Sequence, residues 1–173
     1  MHSVASGDKF ALQILYARHH ARLYRFMMRF TRDECLAEDA LSEVFLAVWC
    51  KAGSFKGECQ VATWLLAIAR NKIIAMLRQR AFAALDEAAS VADPKDDPES
   101  ALDKKDRNNL VQKCLETLSP KHRQIIELVY FQDKSIREAA EIAALPLNTV
   151  KTRMFYARSQ LGKSLKHLGV EAA

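Results

Sequence analysis

Apolar residues recur along this chain at spacings of three and four, the repeat of helices that each bury one face. Phe10, Ile14, Ala17, Leu23, Tyr24, Met27 and Phe30 predict a helix over 8–31, with Asp8 as its N-cap. Leu36, Ala40, Val44, Ala47 and Val48 predict a second over 34–51. Gly53 and Gly57 interrupt the repeat, and Trp64, Leu65, Ile68, Ala69, Ile73 and Leu77 carry a third over 62–80. Helices of this kind with short links make a bundle. The pattern then lapses. Residues 86–106 hold eight acids against three bases, together with Pro94 and Pro98, and read as a flexible acidic linker or an ordinary solvated loop. Helical spacing resumes over 107–118 and 121–132 and ends in a helix-turn-helix over 135–158. The expected fold is all-α, with two small helical domains: a three- or four-helix bundle at 1–80 and a helix-turn-helix domain at 107–173, joined by a linker at 81–106.

Local chemistry in the last segment points to DNA. Ser135 followed by Glu138 forms a capping box ahead of the first short helix. Pro146 and Asn148 punctuate the turn, Asn148 tolerating a left-handed backbone, and Thr149 is placed to cap the second helix. In that helix Val150, Met154, Ala157 and Leu161 make one apolar stripe. Lys151, Thr152, Phe155 and Tyr156 therefore point outward. Five Lys or Arg and no acid lie between Lys151 and His167, an electrostatic match for a duplex.

Composition narrows the class. The chain has 173 residues, 50% of them hydrophobic, with only 5 Gly and 4 Pro, which suits helices better than hairpins. It has no apolar run long enough to span a membrane and no signal-peptide core, which predicts a cytoplasmic protein. Cys35, Cys50, Cys59 and Cys114 form no C-x-x-C pair, and His19 and His20, being adjacent, diverge on a helix, so no metal site is expected. A Gly-rich phosphate loop, a nucleophile elbow and an H-E-x-x-H motif are all missing, which argues against an enzyme, and no cofactor is implied.

The net charge of +5 is modest, but its distribution is uneven. Residues 9–32 carry six bases and no acid, 33–43 five acids and no base, and 61–80 four bases and no acid. Such blocks suit separate surfaces for separate partners. The acids Glu38, Asp39 and Glu43 lie beside Phe45, Leu46 and Trp49, a combination suited to protein docking. The loop with Lys56 and Gly57 precedes a helix bearing Trp64, Arg70, Asn71 and Lys72, an arrangement that can track a backbone and receive unstacked bases, although Trp64 taken alone reads better as a core anchor.

In order and spacing, these pieces resemble the extracytoplasmic-function sigma factors of bacterial RNA polymerase. The resemblance runs from about residue 10 to 168, through Ala37-Glu38-Asp39-Ala40, Glu43-Val44-Phe45-Leu46, Phe55-Lys56-Gly57, Thr63-Trp64-Leu65 and Ile68-Ala69-Arg70-Asn71. It continues in Leu115-Glu116-Thr117-Leu118-Ser119-Pro120, Thr149-Val150-Lys151-Thr152-Arg153 and Ala157-Arg158. It implies a sigma-2-like domain that docks on core polymerase through Asp39, Glu43, Phe45, Leu46 and Trp49. It implies single-stranded −10 DNA held by Lys56, Gly57, Glu58, Trp64, Arg70, Asn71, Lys72 and Arg78. The sigma-4-like domain would read the −35 duplex with Lys151, Thr152, Phe155 and Tyr156 near the bases and Arg153 and Arg158 on phosphates. An anti-sigma partner is also implied. Four positions depart from the family pattern: Ser42 for Gln, Asn148 and Ala144 for Gly, and Tyr156 for Arg. The competing reading is a helix-turn-helix regulator without polymerase contact, which leaves 34–60 with no task.

Overall fold

A carboxylate starts each of the first two long helices. In the computed structural model, which describes residues 1–87, 111 and 113–167 (84–87 and 166–167 as backbone only), a short α1 (His2–Ala5) precedes α2 (Lys9–Thr31). Asp8 accepts hydrogen bonds from the N–H groups of Phe10 and Ala11 at 2.9 and 3.1 Å, capping α2 as its sequence predicts. Arg32 closes α2 in the left-handed conformation, and Asp33 accepts from the Leu36 N–H at 3.0 Å to open α3 (Glu34–Lys51). A 3-10 turn over Ala52–Ser54 leads through a loop to α4 (Val61–Glu87).

Helices α2, α3 and α4 meet in one core. Leu23, Phe26 and Met27, then Ala37, Ala40, Val44 and Val48, then Leu65, Leu66, Ala69 and Ile73 are each at most 2% exposed. Each large side chain among them contributes about 1.5–3 kcal/mol by leaving water. Two expectations fail in this unit. Phe10 is 69% exposed, and Ile14 and Ala17 also face outward. The six-residue step from Ala17 to Leu23 turns the helix by about 240° beyond a full turn, so the first three positions lie on another face. Helix α4 also runs seven residues past the expected boundary at 80, because 81–85 (Ala-Phe-Ala-Ala-Leu) contain no breaker. The rest of the acidic segment lies outside the described residues.

The second unit is built around a short and a long helix, the pair of the helix-turn-helix. Residues 113–116 form a helical turn, and 107–110 lie outside the described residues. Arg123 donates to the carbonyls of Leu115, Glu116 and Leu118 at 3.0, 3.2 and 3.5 Å, satisfying the end of that turn. It belongs to α5 (Pro120–Ile126), which has Pro at its first turn and passes into a π-helical turn over Glu127–Phe131, where a continuous α-helix to 132 was expected. The capping box of α6 (Ile136–Ala143) is present: the Ser135 hydroxyl accepts from the Glu138 N–H, and the Glu138 carboxylate accepts from the Ser135 N–H.

The turn after α6 differs from the sequence reading. Ala144 takes the left-handed conformation (φ 51°, ψ 51°), and the N–H groups of Ala144 and Leu145 donate to the carbonyls of Glu141 and Ala140, a Schellman ending. The last helix, α7 (Leu147–His167), begins at once, so Asn148 and Thr149 lie inside its first turn and do not form the bend or cap. The core here holds Leu118, Ile125, Ile126, Leu128, Ala139, Ile142, Ala143, Val150 and Ala157, each at most 2% exposed. No strand occurs among the described residues, so the fold is all-α in two helical units, Met1–Val91 and Ala92–Ala173.

Candidate functional site

In the second unit, α7 divides cleanly. Val150, Met154 and Ala157 are buried and Leu161 is half-buried, which turns Lys151, Thr152, Phe155 and Tyr156 outward as expected. Phe155 is 69% and Tyr156 56% exposed, more apolar ring than a face without a partner normally shows. The rings support one another. Phe155 meets Tyr156 edge-on with centroids 5.6 Å apart, and Tyr156 stacks over His122 of α5 at 6.4 Å. Thr152 donates its hydroxyl to the Asn148 carbonyl at 2.9 Å, so it presents an acceptor on its outward side. Arg153 is half-buried, while Arg158 is exposed and its Nε donates to the Tyr130 hydroxyl at 2.7 Å.

The polymerase-docking set on α3 is only partly a surface. Asp39, Glu43 and Leu46 follow one outward line at spacings of four and three, and Leu46 is 58% exposed. Trp49 is half-buried. Phe45, expected on the exposed face, is 7% exposed and packs against Tyr16 of α2 with ring centroids 4.8 Å apart. The period of 3.6 carries it inward beside Leu41 and Val44. Tyr16, its neighbour on α2, was not singled out from sequence, and no docking role was read for the groove it lines. Tyr16, His20 and Tyr24, spaced by four, line a groove with Arg25, Glu38, Leu41 and Ser42, and Tyr16 stacks on His20 at 5.0 Å. Their i, i+4, i+8 spacing was the available signal.

The loop between α3 and α4 is pinned at both ends and open in the middle. Phe55 sets its ring edge-on to Trp64, centroids 5.4 Å apart, and the Gln60 carbonyl accepts from the Trp64 N–H. Trp64 is half-buried and so both anchors the loop and shows part of its ring. Lys56, Gly57 and Glu58 are exposed between these anchors, with Gly57 at φ 76°, a conformation glycine takes without strain. Along α4, Arg70 donates to the Asn71 side chain at 2.9 Å, and Arg78 is exposed. Lys72 is engaged by Glu43 of α3 at 2.7 Å, which joins a residue expected on −10 DNA to one expected on polymerase.

Electrostatics echo the charge blocks of the sequence. Burial, with Arg22 and Arg18 nearby, holds the His19 imidazole below its ordinary pKa. Burial and the acids Glu34 and Glu38 push the Tyr24 phenol upward. The hydrogen bond from Arg80, then that from the Leu36 N–H, hold the Asp33 carboxyl below the usual range. Among the described residues, no group of three or more His, Cys, Asp and Glu could hold a metal, and no helix is long and apolar enough to cross a membrane.

Known proteins share this layout. Residues 15–83 match Sigma-70 region 2, and residues 108–161 match Sigma-70 region 4. The chain is 31% identical over 166 residues to the ECF RNA polymerase sigma factor SigM of Mycobacterium tuberculosis, covering 94% of this chain and 81% of that protein. It is 30% identical over 172 residues to SigL of the same organism, covering 96% and 95%. Among solved structures, it is similar to the sigma factor RpoE in complex with the anti-sigma factor NepR from Bartonella quintana, with TM-score 0.72 and 25% identity over 89% of this chain and 96% of that one. It is also similar to CnrH in complex with the cytosolic domain of CnrY, with TM-score 0.69 and 26% identity over 95% and 94%. The chain belongs to the ECF sigma factors of RNA polymerase.

Proposed function

We propose that this chain acts as an alternative sigma factor in the cytoplasm, binding core RNA polymerase through the first unit and promoter DNA through both, with no cofactor and no bond made or broken by its own residues. The observation that carries the reading is the coexistence of two unlike surfaces. The outward line Asp39–Glu43–Leu46 on α3 is acidic and apolar, suited to a protein. The outward face of α7 is basic, aromatic and free of acid, suited to a duplex. A plain helix-turn-helix regulator uses the second and leaves the first idle.

Within this reading, the pinned loop with Lys56, Gly57 and Glu58 holds the −10 element as single strand against Trp64, while Arg70, Asn71 and Arg78 track its backbone. Lys151, Thr152, Phe155 and Tyr156 read the −35 duplex, and Arg153 and Arg158 hold phosphates. An anti-sigma partner restrains the chain, a reading supported by the similar sigma factor solved in complex with the anti-sigma factor NepR. The test is a pair of variants read on two assays. Lys151→Ala weakens duplex binding and lowers its salt slope by about 0.9, with affinity for core polymerase unchanged. Asp39→Ala together with Leu46→Ala does the reverse. Equal loss of both activities in both variants would overturn the assignment of faces.

A further inference from the structure

Tyr130 belongs to none of the motifs in the sequence, yet its side chain holds an arginine on the outward side of α7. It sits in the π-turn Glu127–Phe131, half exposed, 28 residues from Arg158. Its hydroxyl accepts the Arg158 Nε–H at 2.7 Å, and the guanidinium carbon lies 5.6 Å from the centre of its ring. The π-turn aims it, because the extra residue in such a turn rotates the next side chains by about 100° round the helix axis. Nε is the inner donor of the guanidinium fork. Holding it fixes the plane of the fork, while the two terminal nitrogens have no hydrogen-bond partner among the described residues.

We propose that Tyr130 is a positioning residue for DNA binding, which pre-sets the Arg158 guanidinium so that its terminal nitrogens meet a backbone phosphate. This role rests on α7 being the duplex-binding helix. A phenol suits the task better than a carboxylate. It orients the arginine by a hydrogen bond and a cation–π contact but leaves the positive charge whole, whereas an acid at the same place would neutralise it and repel the phosphate. Lys72, by comparison, has its charge taken up by Glu43. Pre-orientation lowers the entropy lost when a long side chain is immobilised on binding, so its effect is on affinity and not on the number of charges engaged.

Because a phosphate contact needs no particular sequence, the probe is a fluorescein-labelled duplex of mixed sequence and about 25 base pairs, titrated by anisotropy across a salt series with the full chain. Tyr130→Phe keeps the ring and loses the hydroxyl. It is expected to bind about threefold more weakly, with an unchanged salt slope and melting temperature. Arg158→Ala is expected to bind more weakly still, with the slope lowered by about 0.9, and the double variant no more weakly than Arg158→Ala alone. A Tyr130→Phe variant that melts earlier but binds as the parent does would make the contact a structural staple and overturn the proposal, as would additive losses in the double variant. If Arg158→Ala and Lys151→Ala both bind as the parent does, the duplex-binding reading of α7 itself has failed.

Discussion

Ala144 occupies a conformation that costs an L-residue about 1–2 kcal/mol and glycine much less. Its Schellman hydrogen bonds hold it there, between α6 and α7. Ala144→Gly is therefore expected to stabilise the second unit by about 0.5–1 kcal/mol in chemical unfolding, since the relief of strain exceeds the added freedom of the unfolded chain. A loss of stability would mean that the turn relaxes without strain. The second residue to test is Asp33, which caps α3 and binds Arg80 of α4. Its carboxyl is held below the usual range, so the unfolded chain takes up the proton first as pH falls. The stabilisation is complete above the ordinary carboxylate pKa and is lost as pH drops through the folded-state value. Asp33→Asn preserves the cap and removes the charge. Its deficit against the parent is expected at neutral pH and to disappear in acid, and a deficit independent of pH would contradict the ion-pair account.

At the scale of elements, legibility tracked how much each residue's neighbours in sequence could decide. Caps are local, and Asp8 and the Ser135–Glu138 box stand where they were expected. Facing is less local. Phe45 looked like an exposed aromatic beside acids, but the ring of Tyr16 from another helix draws it inward. Phe10 kept the spacing of a core residue, yet the six-residue step to Leu23 turned it outward. The turn begins at Ala144 as expected but ends sooner, because the last helix starts at Leu147 and takes Asn148 and Thr149 into its first turn. Pairing between helices was not legible at all. Lys72 and Glu43, assigned to different partners, bind each other across α3 and α4. Glu43 is exposed and Lys72 partly so, and a double-mutant cycle of Lys72→Ala and Glu43→Ala in unfolding is therefore expected to return only about 0.2–1 kcal/mol. A coupling of several kcal/mol would show that the pair is structural and is not held in readiness for partners.

For the molecule as a whole, the expectation of two small helical domains stands, and the family is shown by matches over both halves of the chain. Order and spacing could not supply the second layer of contacts beneath the expected site residues. Tyr130 behind Arg158, His122 behind Tyr156 and Phe55 behind Trp64 come from other segments and set how each outward group is presented. The central claim is that the two surfaces act together in transcription initiation. Its most direct test is transcription in vitro with bacterial core polymerase, the purified chain and a library of genomic fragments. The account predicts discrete transcripts that require the chain, share promoter elements, and are lost with either Asp39→Ala plus Leu46→Ala or Lys151→Ala. Duplex binding with neither a core-polymerase complex nor any transcript would contradict it and leave a helix-turn-helix regulator in its place.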